Sequence, residues 1–265
     1  MELQITQLGI NDMDAYSIMW YGNYLKWFKR YLYTYIGSNI KFQFQYIKFI
    51  NSVKWGDNIV IVGNRIDVNI LLLEMKHNNL NVNEALIHVD KGNLSLFKIN
   101  NSILIKRIVN KLKSNNIFFL NNNSHDYYKS EFTIWKDMLI DNKIQDTHVL
   151  DIFEQSRTRL IGGHKILQKM RYDDNQFIFV SNINHFTNND NYNINLSDKI
   201  NAYVYIIKNI GWKIFEFKQV IINDKYKECC SMLCKLVIYK DTYHYKGLYS
   251  LPEYVISNIT ENTNI

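Results

Sequence analysis

An order of elements that occurs twice limits the folds open to this chain more than any other feature. Residues 3–90 read as a short strand, a loop, a long helix and four strands, and residues 131–239 repeat that order. In the first copy, Tyr24, Trp27, Phe28, Leu32 and Tyr35 recur at spacings of three and four, which places them on one helical face. Gly37 is set to end that helix. Segments 42–51, 58–68, 70–76 and 84–90 are rich in Ile, Val and aromatics and are bounded by Gly, Asn and Asp, the signature of strands. In the second copy, 131–139 reads as a strand, 141–147 as a loop and 148–161 as a helix. That helix carries Val149, Ile152, Phe153 and Leu160 on one side and is ended by Gly162 and Gly163. Strands are expected at 177–184, 199–208, 213–222 and 228–239. The repeat is also visible locally, between YLKWFKRYLYTYIG and VLDIFEQSRTRLIG.

These elements predict an α+β chain of two tandem units: 1–98, a connector 99–126 with a basic helix-like run at 103–113, 127–256, and a frayed tail 257–265. A curved antiparallel sheet with one apolar face needs a cover, and one long helix with an aromatic stripe supplies it. A single unit still exposes its sheet edges. Two units pairing edge to edge would close one edge of each, and a duplicated chain does this internally.

Composition removes several alternatives. Hydrophobic residues make up 47% of the 265, enough to build a core, so wholesale disorder is excluded. The single proline excludes collagen-like and proline-rich readings. The 35 Asn and 37 Ile read as codon bias of an AT-rich genome, so Asn-rich stretches carry no functional weight. The first residues lack a basic segment followed by an apolar one, and no apolar run reaches the roughly 18–20 residues that span a bilayer. A cytoplasmic protein is expected. Cys229, Cys230 and Cys234 read as small buried hydrophobes. The net charge of +6 suits an anionic partner, yet the basic residues are scattered, which argues against nucleic acid. The histidines show no mutual metal spacing, and neither a nucleotide-phosphate loop nor a G-x-S-x-G elbow occurs. No metal and no cofactor are expected.

The most specific stretch is NDMDAYSIMWYGNYLKWFKR, residues 11–30. Asp12, Asp14, Trp20, Tyr21, Asn23, Tyr24, Trp27 and Phe28 fall at the spacing of the signature of hot-dog-fold acyl-CoA thioesterases. The stretch resembles the 4-hydroxybenzoyl-CoA thioesterase type. The resemblance is strong over these twenty residues and looser up to residue 90, where SVKWGDNIVI is similar to the strand and turn that follow the helix. It implies two tandem hot-dog units, each a long helix wrapped by a curved antiparallel sheet, forming an intrachain pseudo-dimer. It further implies an acyl-CoA or acyl-carrier-protein substrate and Asp14 as nucleophile or general base. Two positions depart from the pattern: the usual glycine after the acid is Ser17, and the acid often found after Trp-Phe is Lys29.

Aligning the two helices puts Phe153 opposite Phe28, Glu154 opposite Lys29 and His148 opposite Asn23, with Asp141 near the position of Asp14. The acid missing from the first helix is thus present on the second. In hot-dog dimers the loop of one unit faces the helix of the other, so a fused pair would hold two unequal sites. The expected working site joins the Asp14 loop to Glu154, Asp151 and Gln155. The other joins the Asp141–His148 loop to Lys26, Lys29 and Arg30. Tyr21, Asn23, Tyr24, His148 and Asp151 are expected to contact substrate, and a backbone N–H near Asn23 or Tyr24 to polarise the thioester carbonyl. Taken singly, Asp14 and His148 would read as capping residues and Glu154 as a solvated one. The family pattern turns the reading of Asp14 toward chemistry, while for Glu154 and His148 the solvated and capping readings are not displaced by it. Two alternatives stay open: a hydroxyacyl-thioester dehydratase of the same fold, and a silent acyl-binding or interaction module. A homo-oligomer of double units is compatible with each.

Overall fold

The computed structural model describes residues 2–5, 8–14, 17–97, 127–188, 193–223, 225–244 and 246–263. The basic run at 103–113 and the rest of the connector lie outside them. The chain is mixed helix and antiparallel sheet and divides into two compact units, Met1–Asn121 with Asn182–Phe186, and Asn122–Ser181 with Thr187–Ile265.

Unit 1 is built on α1, Tyr21–Tyr35. Its strands are β1 (Glu2–Ile5), β2 (Lys41–Phe49), β3 (Ile59–Asp67), β4 (Ile70–His77) and β5 (Leu80–Lys91), in the sheet order β1-β3-β4-β5-β2. Residues 182–186 add to it by antiparallel pairing with β2, where Ile47 faces Ile183 and Phe44 faces Phe186. The 3.6-residue periodicity decides which face of α1 enters the core: Tyr24, Leu25, Phe28, Tyr31 and Leu32 are buried, while Lys26 and Arg30 stay outside. The sheet answers with period two, so Leu71, Leu73 and Met75 of β4 and Ala85 and Ile87 of β5 are fully buried on the helix side. Two close contacts fix the helix on the sheet. The Tyr31 hydroxyl lies over Gly63 of β3, where a Cβ would stand 2.6 Å from the Tyr31 oxygen. The Tyr35 hydroxyl donates to the Glu2 carbonyl, tying the last helical turn to β1. Trp20 and Trp27 keep partial exposure. They lie on the flank of the helix, and the Arg30 guanidinium lies 5.1 Å from the Trp27 ring.

Unit 2 follows the same plan with additions. Its strands are β6 (Tyr127–Thr133), the short hairpin β7 (Leu139–Ile140) and β8 (Lys143–Ile144), β9 (Gln176–Asn188), β10 (Lys199–Ile210), β11 (Ile214–Asn223), β12 (Tyr226–Asp241) and β13 (Lys246–Leu248). The main sheet runs β9-β12-β11-β10-β6, with β13 on β12. Its long helix, α2, spans Asp146–Leu160. It has 15 residues, as α1 has, and Phe153 is its eighth residue as Phe28 is of α1. Both rings are fully buried. Burial of a Phe ring is worth several kcal/mol, so each helix is pinned at the same point of its length.

Four differences from the sequence reading follow from tertiary context. The strand expected at 131–139 lies earlier, at β6, because Trp135–Leu139 turns through a 3-10 segment. The loop expected at 141–147 is a tight hairpin, with Asp141 (φ 50°) and Asn142 (φ 58°) in the left-handed region that a two-residue turn requires. A further helix, α3 (His164–Tyr172), follows the Gly162–Gly163 stop. The tail expected to fray is helical, as α4 (Glu253–Thr263), with Val255, Ile259 and Thr263 buried. Asn258 and Asn262 donate to the carbonyls of Ile161 and Leu160. These bonds satisfy acceptors left open at the end of α2.

Candidate active site

The loop before α1 is shaped by its own carboxylates. The Asp14 N–H donates to the Ile18 carbonyl at 2.8 Å, and the Ile18 N–H donates back to Asp14 Oδ1 at 3.3 Å. Ser17, at the position where the family pattern has glycine, adopts φ 59°. The left-handed backbone that glycine supplies freely is therefore kept here by a serine at some steric cost. Asp12 is buried. It accepts from the Gly9 N–H at 3.2 Å and lies 3.9 Å from the Lys26 ammonium, while its carbonyl receives the Trp20 N–H. The loop rests on the turn after β2: the Met19 N–H donates to the Val53 carbonyl, Ile18 bridges Lys54, and the Gly56 N–H donates to Leu8. Asp57 closes that turn by accepting from the Lys54 N–H at 2.8 Å.

The first turn of α1 meets this loop. Asn23 is buried and its side-chain amide donates to the Asp12 carbonyl at 3.0 Å. Its backbone N–H is bound to the Trp20 carbonyl. Asn23 thus holds the loop to the helix, and its N–H is engaged within the turn. Tyr24 is buried with its ring edge-on to Phe49, 5.4 Å between centroids. Tyr21 is half-buried, between Trp20 (5.2 Å) and Phe49 (6.2 Å). Burial drives the Tyr24 phenol far above its ordinary range. A hydrogen bond from the Val53 backbone opposes this, and the charges of Asp14 and Asp57 add to it. Asp14 is therefore within electrostatic reach of the Tyr24 hydroxyl. Gly22 allows the Trp20 ring to fold back over the helix start, where a Cβ would stand 2.2 Å from it.

In unit 2, the residues singled out in the sequence share one stripe of α2. His148, Asp151, Glu154 and Gln155 are spaced by three and four, and each is partly exposed while the rest of the helix is largely buried. Gln155 donates to Asp151 Oδ2 at 2.8 Å. His148 Nδ1 is buried without a hydrogen-bond partner among the described residues. The corresponding stripe of α1 is basic and locally engaged: Lys26 faces Asp12, Lys29 lies 5.9 Å from the Phe42 ring, and Arg30 stacks on Trp27. Asp141 does not repeat the environment of Asp14. It is an exposed hairpin-turn residue, whereas Asp14 is half-buried and bonded across its own loop.

Two buried polar groups escaped the sequence reading. In unit 2, Arg157 donates to Gln219 Oε1, and Gln219 Nε2 donates to the Phe153 carbonyl at 2.8 Å. Beside them, burial raises the Cys234 thiol, with Arg157 opposing. In unit 1, Asn83 stands fully buried on β5, and neither atom of its amide has a partner among the described residues. The signal for Asn83 was a polar residue in the inward slot of an Asn83, Ala85, Ile87, Val89 alternation. Among the described residues no group of His, Cys, Asp and Glu is placed to hold a metal ion, and no helix is long and apolar enough to cross a membrane.

No protein-family model matches the sequence, and no curated protein matches it. Solved structures do. An acyl-ACP thioesterase from Bacteroides thetaiotaomicron superposes with a TM-score of 0.56 at 7% identity, over 89% of this chain and 96% of that one. A putative oleoyl thioesterase from Lactobacillus plantarum gives 0.54 at 7% identity, over 89% and 95%. The chain shares their fold. At this identity the likeness concerns backbone architecture, which agrees with the hot-dog arrangement that residues 11–30 imply. The chemistry has to be argued from the side chains.

Proposed function

We propose that this protein hydrolyses an acyl thioester, carried on coenzyme A or an acyl-carrier protein, with Asp14 as nucleophile or general base. The observation that carries this reading is the placement of Asp14: a half-buried carboxylate fixed by a short hydrogen-bonded loop against the first turn of α1, close enough to bear on the buried Tyr24 hydroxyl. The fold shared with two thioesterases supports it.

As general base, Asp14 takes a proton from water while the water oxygen attacks the thioester carbon. The tetrahedral intermediate then expels the thiolate, which is reprotonated. As nucleophile, the carboxylate oxygen attacks directly, the thiolate leaves, and water cleaves the resulting anhydride. In either route the carbonyl oxygen gains charge. Because the Asn23 N–H is engaged with Trp20, the donor assigned to that oxygen is the Gly22 N–H, one of the first-turn groups that no helical carbonyl satisfies. Tyr21, half-exposed beside this turn, lines the entrance, and the Asn23 side chain keeps the loop on the helix. The role expected of Glu154 and Asp151 of α2 is tested by Glu154→Gln in the same assay.

The test is thiol release from acyl-CoAs of two to sixteen carbons and from benzoyl-CoA, repeated on acyl-carrier proteins. Turnover abolished by Asp14→Asn supports the reading. Absence of turnover on both series overturns it.

A further inference from the structure

The fully buried Asn83 amide is the strongest departure from ordinary packing among the described residues of unit 1. Its Cα stands opposite Phe49 of β2 and Met75 of β4. Met75 is fully buried among the inward residues of β4, and Asn83 precedes Ala85 and Ile87 in the inward slots of β5, so the amide lies on the side of the sheet that α1 covers. Phe49 is the residue on which Tyr21 and Tyr24 pack. Asn83 is therefore one strand further in, behind the first turn of α1 and the Asp14 loop.

A buried primary amide offers two donors and an acceptor, and leaving them unmet is costly. The inward side of β5 is otherwise apolar, so a branched apolar side chain such as Leu would fit the alternation. Unit 2 shows how this fold meets such a group when it is structural. Gln219, also fully buried, has its acceptor met by Arg157 and a donor met by the Phe153 carbonyl. Asn83 has neither kind of partner among the described residues.

Resting on the proposed hydrolase reading, we infer that Asn83 is a specificity-determining residue that selects hydroxyl-bearing acyl chains. On this reading the thioester carbon stands at Asp14, the bulky charged carrier stays in water, and the acyl chain runs past Phe49 to reach the amide. A plain alkyl chain leaves the amide unmet. A keto group satisfies its donors alone. A hydroxyl group donates to Oδ1 and accepts from Nδ2, so it meets both. Sites that hydrogen-bond a substrate hydroxyl discriminate strongly against the analogue lacking it.

The experiment compares kcat/KM for octanoyl-CoA with 2-, 3- and 4-hydroxyoctanoyl-CoA, or the same chains on an acyl-carrier protein, in wild type, Asn83→Leu and Asn83→Thr. The expected result is a wild-type preference above tenfold for one hydroxy isomer. Asn83→Leu should abolish it while octanoyl turnover is kept or raised, and Asn83→Thr, which retains a donor and an acceptor, should keep part of it. Asn83→Leu should also melt about 2–4 °C higher, since an unmet buried amide is removed. Turnover of all four chains at equal rates in wild type overturns the inference and leaves the hydrolase reading standing. An equal loss on every chain in Asn83→Leu assigns the amide to the part of the carrier common to all and overturns it too. A fall in melting temperature with unchanged preference makes Asn83 structural. No turnover of any chain on either carrier overturns the hydrolase reading itself.

Discussion

Replacing Asp14 by Asn separates its chemical role from its structural one. The carboxylate accepts a backbone bond from the Ile18 N–H at 3.3 Å in a half-buried setting. A bond of that length stands at the lower end of the roughly 0.5–1.5 kcal/mol of a protein hydrogen bond, and Asn keeps an acceptor oxygen in the same place. The stability change should therefore be about 0.5 kcal/mol or less, about 1–2 °C in Tm for a chain of this size. The loss of turnover should be about 10²–10⁴-fold, the worth of a positioned acid–base group. Asp14→Ala removes the acceptor as well, so it should match Asn in turnover and melt lower. A third readout comes from Tyr24. The Asp14 charge helps to hold its phenol high, so in Asp14→Asn the late phase of an alkaline tyrosinate titration should move down, though not to the ordinary range, because burial is the larger cause. The assay is thiol release followed with a thiol dye. The protein's own thiols should stay silent in it, since all three cysteines are buried and burial raises Cys229 and Cys234. An Asp14→Asn variant that keeps more than half of wild-type turnover would refute the reasoning, whatever its stability.

Further outcomes are expected. Glu154→Gln should reduce turnover more than Asp141→Asn, which alters only an exposed hairpin turn where Asn is at ease; equal effects in a thiol-release assay would remove Glu154 from the chemistry. Ser17→Gly should raise stability by about 0.5–1 kcal/mol in urea melts, because the φ of 59° costs a side-chain residue and not glycine; a loss would mean that the Ser17 side chain holds the loop. Gly63→Ala should lower stability by about 1–3 kcal/mol, since the new methyl collides with the Tyr31 hydroxyl at 2.6 Å; an unchanged denaturation midpoint would refute that contact. Tyr24 and Tyr31 have phenols raised above the ordinary value of 10.0. The stability they contribute is complete below about pH 10 and is lost as pH rises beyond it. Urea midpoints that stay flat from pH 9 to 11 would contradict this.

The repeat order, the two long helices and the alternation of each strand were legible in the chain, because periodicities of 3.6 and 2 are local consequences of burial on one face. The pairing of Phe28 with Phe153 was legible too, since equal helices pinned by equal rings leave an alignable trace. Local sequence did not reveal α4. Its anchors are the Leu160 and Ile161 carbonyls about a hundred residues away, and propensity cannot register an acceptor so remote. The family spacing marked Asp14, Tyr21, Asn23 and Tyr24 as a group, but it did not divide their roles. Only the tertiary structure gave the Asn23 amide to the Asp12 carbonyl and its N–H to Trp20, placed the Tyr24 hydroxyl against Val53 beside the charge of Asp14, and set Asp141 in a hairpin instead of a second Asp14 loop. Hydrogen-bond partners are settled by which groups meet when water is excluded, and the unmet Asn83 amide becomes visible only once its neighbours are in place. The sequence by itself determined what must be buried. The fold decided which polar groups were buried with a partner and which were not.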